Sequence, residues 1–367
     1  ETVDAVDLEF EEYWRSLQLQ VAGPAPLDTV RRRLSLGLAG TIPSLEELRS
    51  LEVFGGVDPV GHWVQYLLED RRCSDYLAER YARSLVGADQ GPFLVFRRRR
   101  FVSWLSDQLQ VNLPYDLLVR QLIEGEGIWT DTPEVNFFTV AVDPENGGKP
   151  DPVVLTGHLS RALLGVRVDC LQCHDDRLGS VVLGSRQQPR EGTQQDFHQL
   201  AAYFGQVENS VLGIRDKEEL EYRYQYLDAE ESGIIVPQVP FLESLTEGHG
   251  SRRQQLARWV THRENRPFAR TAVNRTWAIL FGRPLVEPID DISLQGPYPP
   301  GLELLATDFI ENGFDLRRLV RVISSLRVFR MDSRTEFEVG KQHEQNWAVF
   351  PLTRLRPEQV VGSISQS

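Results

Sequence analysis

Leu164-Gly165-Val166-Arg167-Val168-Asp169-Cys170-Leu171-Gln172-Cys173-His174, residues 164–174, closes a helical apolar run and turns directly into a Cys-x-x-Cys-His motif. The apolar positions before it, from about Val153 to Val166, recur at helical spacing, so a helix delivers the chain into the motif. Cys-x-x-Cys-His is the spacing for covalent attachment of a c-type haem. Two thiols three positions apart reach the two vinyl groups of one porphyrin, and the next residue places an imidazole under the iron. On this reading Cys170 and Cys173 attach the haem and His174 is the proximal ligand, while the opposite axial position sets the potential or stays open. Three other readings stand beside it. A structural zinc site needs four ligands, and there is no second Cys pair. A thioredoxin-like dithiol normally opens a helix after a strand, whereas this one follows a helix. The third is a chance occurrence.

Two residues are candidates for the sixth iron ligand. Met331 is the only methionine and follows an apolar helix; its ordinary role would be core filling. His198 follows Asp196-Phe197 at a helix start, where a surface or capping role is the alternative. His62, His158, His249, His262 and His343 have no spacing that singles them out. The third cysteine, Cys73, sits in a helical pattern and reads as a small buried apolar residue.

Outward from the motif the pattern is mainly α-helical: two helical lobes with long loops and few short strands. Helices are predicted over 5–22 (with Leu8, Phe10, Trp14 and Leu17 on one stripe), from Thr29 to Leu36, from Ser44 with Glu47 completing a capping box, over 61–86, over 98–110, and from Pro114 to about Glu124. Residues 126–152 read as a long loop and 177–195 as a polar, Gly-rich insertion. Asp196 is predicted to cap a helix through Phe204. Residues 208–250 are mixed, with short strands near 234–239, and serve as a linker. Helices return over 251–262, 266–281, 299–312 and 315–328, with Asn312-Gly313 between the last two. The domains are therefore 1–207, carrying the motif, the 208–250 segment, and a helical 251–367 that is expected to be incomplete at its C-terminus.

Composition excludes several classes. A net charge of -13 argues against general nucleic-acid binding, which needs a basic face. No apolar run approaches the roughly 20 residues of a transmembrane helix. The chain starts at Glu1, so a removed export signal is expected. The run Arg97-Arg98-Arg99-Arg100 reads as a solvated helix start pairing with acidic neighbours, or as a dock for an acidic partner. There is no Gly-rich phosphate loop, no His-Glu-x-x-His and no Gly-x-Ser-x-Gly.

The segment Leu164 to Asp175, with Asp196-Phe197 and Leu200-Ala201-Ala202-Tyr203-Phe204 after it and Arg32 to Gly40, Pro43-Ser44 and Glu46-Glu47 before it, resembles the planctomycete cytochrome-like domain DUF1549. Val273-Asn274-Arg275-Thr276-Trp277, Leu280 to Val286, Asp308-Phe309 and Gly313-Phe314-Asp315-Leu316 resemble the companion domain DUF1553. The resemblance implies an exported, haem-bearing protein with attachment at Cys170, Cys173 and His174. Relatives read Cys-His-Asp-His-Pro-Phe, whereas Asp176-Arg177-Leu178 follows Asp175 here, so a second histidine is missing. The functional expectation is an exported monohaem electron-transfer protein, periplasmic or extracellular. It would work with a redox partner protein or neighbouring cytochrome in a larger assembly. The alternatives are a haem-dependent oxidative enzyme, with His198, Arg167 or Arg275 as acid–base group, and a structural or binding protein stapled by haem.

Overall fold

Apolar residues at helical spacing produce helices in two stretches, up to Ala201 and from Arg252. The computed structural model describes residues 1–53, 57–88, 96–143, 145, 147–184, 188–226 and 229–366. The first half holds α1 (Thr2–Ser16), α2 (Leu27–Ala39), α3 (Leu45–Val53), α4 (Pro59–Glu69), α5 (Arg71–Leu85), α6 (Arg98–Gln110), α7 (Tyr115–Glu124), α8 (Asn136–Thr139), α9 (Pro152–Leu159) and α10 (Gln194–Ala201). The second holds α11 (Arg252–Thr261), α12 (Arg266–Phe281), α13 (Leu302–Glu311), α14 (Leu316–Ser325), α15 (Arg327–Arg330), α16 (Lys341–Gln345) and α17 (Pro357–Gln366). Among the described residues the only sheets are two-stranded antiparallel hairpins: β1 (Val142–Asp143) with β2 (Lys149–Pro150), β3 (Val182–Gly184) with β4 (Pro189–Glu191), β5 (Val207–Ser210) with β6 (Gly213–Asp216), and β7 (Arg223–Tyr224) with β8 (Gly233–Ile234). The chain is mainly α-helical, as its sequence pattern requires.

Several boundaries differ from expectation for local reasons. The stripe of α1 that packs inward is Val6, Phe10 and Trp14, four residues apart; Leu8 and Leu17 stay exposed, and the helix stops well short of residue 22. The helix expected over 61–86 is two helices. Asp70 is extended, and its carboxylate accepts from the Arg72 N–H at 2.8 Å, capping α5. The capping box at Ser44 and Glu47 is present, with bonds of 2.7 and 3.1 Å. The expected loop 126–152 contains α8 and the β1–β2 hairpin. The 177–195 insertion folds as the β3–β4 hairpin, with residues 185–187 outside the described set. Thr193, not Asp196, is the N-cap of α10; Asp196 is its capping-box partner. Gly313, at φ 67, takes the left-handed position after α13. Cys73 is buried as a small apolar residue, and burial pushes its thiol up to about 12.

One contiguous hydrophobic core runs from Val6 to Phe350 and joins the helical segments on either side of 208–250. Its centre is α12, which buries Phe268, Val273, Trp277, Leu280 and Phe281 together with polar positions around its circumference. α12 packs against α13, α2 and the turn after α9. The approach to α2 is close: a Cβ on Gly37 would stand 3.4 Å from the Ile279 carbonyl oxygen and the Leu280 Cα. The 208–250 segment is packed rather than free. Ile214 exchanges backbone hydrogen bonds with Gly127 at 2.9 and 2.8 Å, and the Trp259 indole donates to the Phe241 carbonyl at 2.8 Å.

Arg253 ties all three parts together. Its side chain is 1% exposed. It donates to Asp216 at 2.6 Å, to the carbonyls of Ile123 and Gly125 at 3.2 and 2.7 Å, and to Glu126 at 3.0 Å. Removing it would strand buried acceptors and a carboxylate, which costs far more than the pair itself contributes. Arg253→Ala is expected to lower stability by about 3–5 kcal/mol, read as a fall in the urea unfolding midpoint. An unchanged midpoint would show that this junction is not structural.

Candidate functional site

The motif is held from behind by the helix that delivers it. Asp151 caps α9 through the Val153 N–H at 2.8 Å. The helix then loosens into a π turn, Ser160–Leu164, and ends at Gly165 with φ 61. Arg275 of α12 donates to the Arg161 and Ala162 carbonyls at 2.8 and 3.0 Å, satisfying acceptors that the loosened turn leaves without helical partners. Gly165 is required twice over. Its φ is left-handed, and a Cβ would meet the Thr271 hydroxyl at 2.6 Å and Ile292 at 3.2 Å.

From there the chain enters a 3-10 turn, Asp169–Gln172, which alternates its exposure. Leu171 is fully buried, whereas Cys170, Cys173 and His174 face outward. Both thiols are free. The His174 Nδ1 lies 2.8 Å from the Asp175 carbonyl oxygen. That oxygen only accepts, so Nδ1 carries the proton and Nε2 keeps its lone pair. This is the arrangement of a metal-ligating histidine whose second nitrogen is fixed by a backbone carbonyl.

The backbone beneath the motif is anchored at one atom. The Gln172 carbonyl oxygen accepts from His198 Nε2 at 3.0 Å, Gln194 Nε2 at 3.0 Å and the Tyr224 hydroxyl at 3.4 Å. Since Nε2 must donate there, His198 Nδ1 is an acceptor and takes the Tyr222 hydroxyl proton at 2.8 Å. His198 is completely buried, stacks on Tyr224 with ring centroids 3.4 Å apart, and has its protonation depressed by burial.

Cys170 and His174 share an open groove of about 710 Å³ with Asp175, Asp176, Arg177, Leu178, Ser180, Thr193, Gln194, Gln195 and Tyr226. That is the size of a cofactor site. Most of its polar wall is already engaged. Asp175 accepts the Gln194 N–H at 2.8 Å. Asp176 accepts from Val181 N–H at 2.6 Å and from Leu178 N–H and the Ser180 hydroxyl at 3.0 Å; the Val181 bond first, with the others, holds its carboxyl below the usual range.

The other residues singled out in the sequence lie elsewhere. Met331 is 1% exposed, bridges Pro24 and gives its carbonyl to Arg33 at 2.6 Å, so it fills core away from the groove wall. His198 lies behind the motif with both nitrogens bonded, so no lone pair is free for a metal. Arg167 pairs with Asp290 at 2.7 Å, and Arg275 is spent on the π turn; neither lines the groove. Of the Arg97–Arg100 run, Arg98 pairs with Glu79 at 2.8 Å and Arg97 donates its backbone N–H to Asn136 at 2.6 Å, while Phe101 and Leu105 are buried. Among the described residues no three His, Cys, Asp or Glu side chains converge as a metal cage, which removes support from the zinc reading. Burial raises the Cys170 thiol, the reverse of the depressed value of an active dithiol. The residues missed in the sequence are Gln194 and the alternating Tyr222, Tyr224 and Tyr226, whose rings all pack against His198.

With this geometry in view, two family models match the chain. Residues 5–209 match PSCyt2, a protein of unknown function (DUF1549), and residues 252–367 match PSD1, a protein of unknown function (DUF1553). The first covers more than half of the chain, which belongs to the DUF1549 family and carries a DUF1553 segment after it. No curated protein and no solved structure matches the chain.

Two expected outcomes follow from this scaffold. Gly165→Ala should destabilise by about 1–3 kcal/mol, the cost of a non-glycine left-handed residue, read as a lower thermal midpoint; an unchanged midpoint would contradict the requirement for glycine. Because His198 is held neutral by burial, its folded value lies below the ordinary 6.5 of histidine, so its contribution to stability is complete above pH 6.5 and fades as pH falls below it toward the folded value. The wild type should therefore lose stability on acidification relative to His198→Gln, measured as the difference of their urea midpoints between pH 7.5 and 5. Parallel curves would show that His198 does not titrate with folding.

Proposed function

We propose that this chain is an exported c-type monohaem protein that passes single electrons to a redox partner protein or a neighbouring cytochrome. The observation that carries the reading is the pairing of two exposed free thiols with an exposed imidazole whose Nε2 lone pair is left open by the Asp175 carbonyl. The residues fit the group. Cys170 and Cys173 would each add S–H across a vinyl double bond, forming a thioether with no oxidant required. His174 would ligate the iron through Nε2, and the groove has room for the ring edge. Haem bound here supplies a one-electron couple.

What the protein does for that chemistry follows from its own residues. Leu171 and the anchored Gln172 carbonyl hold the motif turn rigid while its reactive side chains face out. Exposure of the site suits exchange of electrons with a partner that docks over the groove. An oxidative enzyme would need an acid–base group over the iron. The three residues considered for that task, His198, Arg167 and Arg275, are committed elsewhere. Attachment of c-type haem is carried out outside the cytoplasm, so the reading includes export.

Production in a host with the c-haem maturation system tests it. Haem should survive denaturing electrophoresis in the wild type and be lost in the Cys170→Ala, Cys173→Ala double variant. His174→Ala should keep attachment and change the reduced spectrum. Absence of a Soret band in correctly exported wild type would refute the proposal.

A further inference from the structure

We propose that Tyr226 supplies the sixth group on the iron, a phenolic oxygen across from His174. This rests on the c-type haem reading above. Side chains that serve as axial haem ligands are His, Cys, Met and Tyr. Of these types the groove wall holds Cys170, His174 and Tyr226. Cys170 is spent on attachment and His174 on the proximal position, which leaves Tyr226. Met331 is buried in the core outside the groove, and His198 has both nitrogens bonded.

The state of the three tyrosines supports the choice. The Tyr222 hydroxyl is bonded to His198 Nδ1 at 2.8 Å, and the Tyr224 hydroxyl to Gln194 Nε2 at 3.0 Å. Tyr226 lines the groove, and among the described residues its hydroxyl has no hydrogen-bond partner. Its ring is nonetheless fixed, edge-on to Tyr224 at 5.3 Å and 76° and to His198 at 5.9 Å and 80°. The competing oxygens are occupied: Asp176 by Val181, Leu178 and Ser180, and the Thr193 hydroxyl by Asp196 at 2.7 Å. Ligation of ferric iron would release the phenolic proton to water in the open groove. The same residues that anchor the motif turn, His198 and Tyr224, thus also hold the Tyr226 ring at the wall of the groove that His174 lines.

The test compares ferric absorption and electron paramagnetic resonance spectra of the haem-loaded wild type, Tyr226→Phe and Tyr226→His, at equal haem content and with thermal midpoints as a check on folding. The wild type should show a phenolate-to-iron charge-transfer band that Tyr226→Phe loses. Tyr226→His should convert the iron to a low-spin bis-imidazole form, which reports the position even if the wild-type band is weak. A Tyr226→Phe spectrum identical to wild type, with Tyr226→His also unchanged, would overturn this inference while leaving the haem reading standing. A wild type with no attached haem would instead overturn the haem reading, and this inference with it.

Discussion

Burial of α12 is the constraint on which the rest of the structure depends. A helix with Phe268, Val273, Trp277 and Phe281 inside, and Asn274 and Thr276 inside as well, cannot be stable with a free face. It needs α2 on one side, α13 on another and the turn after α9 on a third. The DUF1549 and DUF1553 segments therefore meet through one core, although they are separate in sequence. Two of the polar side chains on α12 find partners at its packed faces, whereas the buried Trp277 indole N–H has none among the described residues. Asn274 exchanges two 2.9 Å bonds with Val286, and Arg275 closes the carbonyls of the π turn.

That last contact links folding to the candidate site. The π turn, Gly165 and the 3-10 turn lie on one path, residues 160–172, from the core to the exposed thiols. Each step is fixed by a buried partner: Arg275, then Thr271 and Ile292 around Gly165, then Leu171, then the three donors on the Gln172 carbonyl. A surface site normally loses order because its groups face water. Here the outward side chains alternate with inward anchors, so exposure and rigidity coexist.

The helical class, the motif, the Ser44 capping box and α6 were legible in the sequence because each depends on residues within a few positions. The break at Asp70 was not, since an acidic N-cap inside a continuous apolar pattern looks like one more surface residue. The placement of His198 and Met331 was not legible for a related reason. Residue type marks both as possible ligands, but only tertiary placement shows that one is locked behind the motif and the other lies in the core. The Tyr222, Tyr224 and Tyr226 alternation carried a visible period of two; its meaning came from His198, which stands 24 residues or more away in sequence.

The departure at Asp176 has a physical account. At this position the chain uses a carboxylate that collects two backbone N–H groups and a hydroxyl within five residues. An imidazole could not accept all three. The Asp176 turn leads residues 177–181 into the β3–β4 hairpin, where Val181, just before β3, and Leu183 converge with Leu171 on Gly192. Asp176 thus contributes a structural turn to the groove wall. The rest of the groove wall comes from Thr193, Gln194 and Gln195 at the start of α10 and from Tyr226, just past β7.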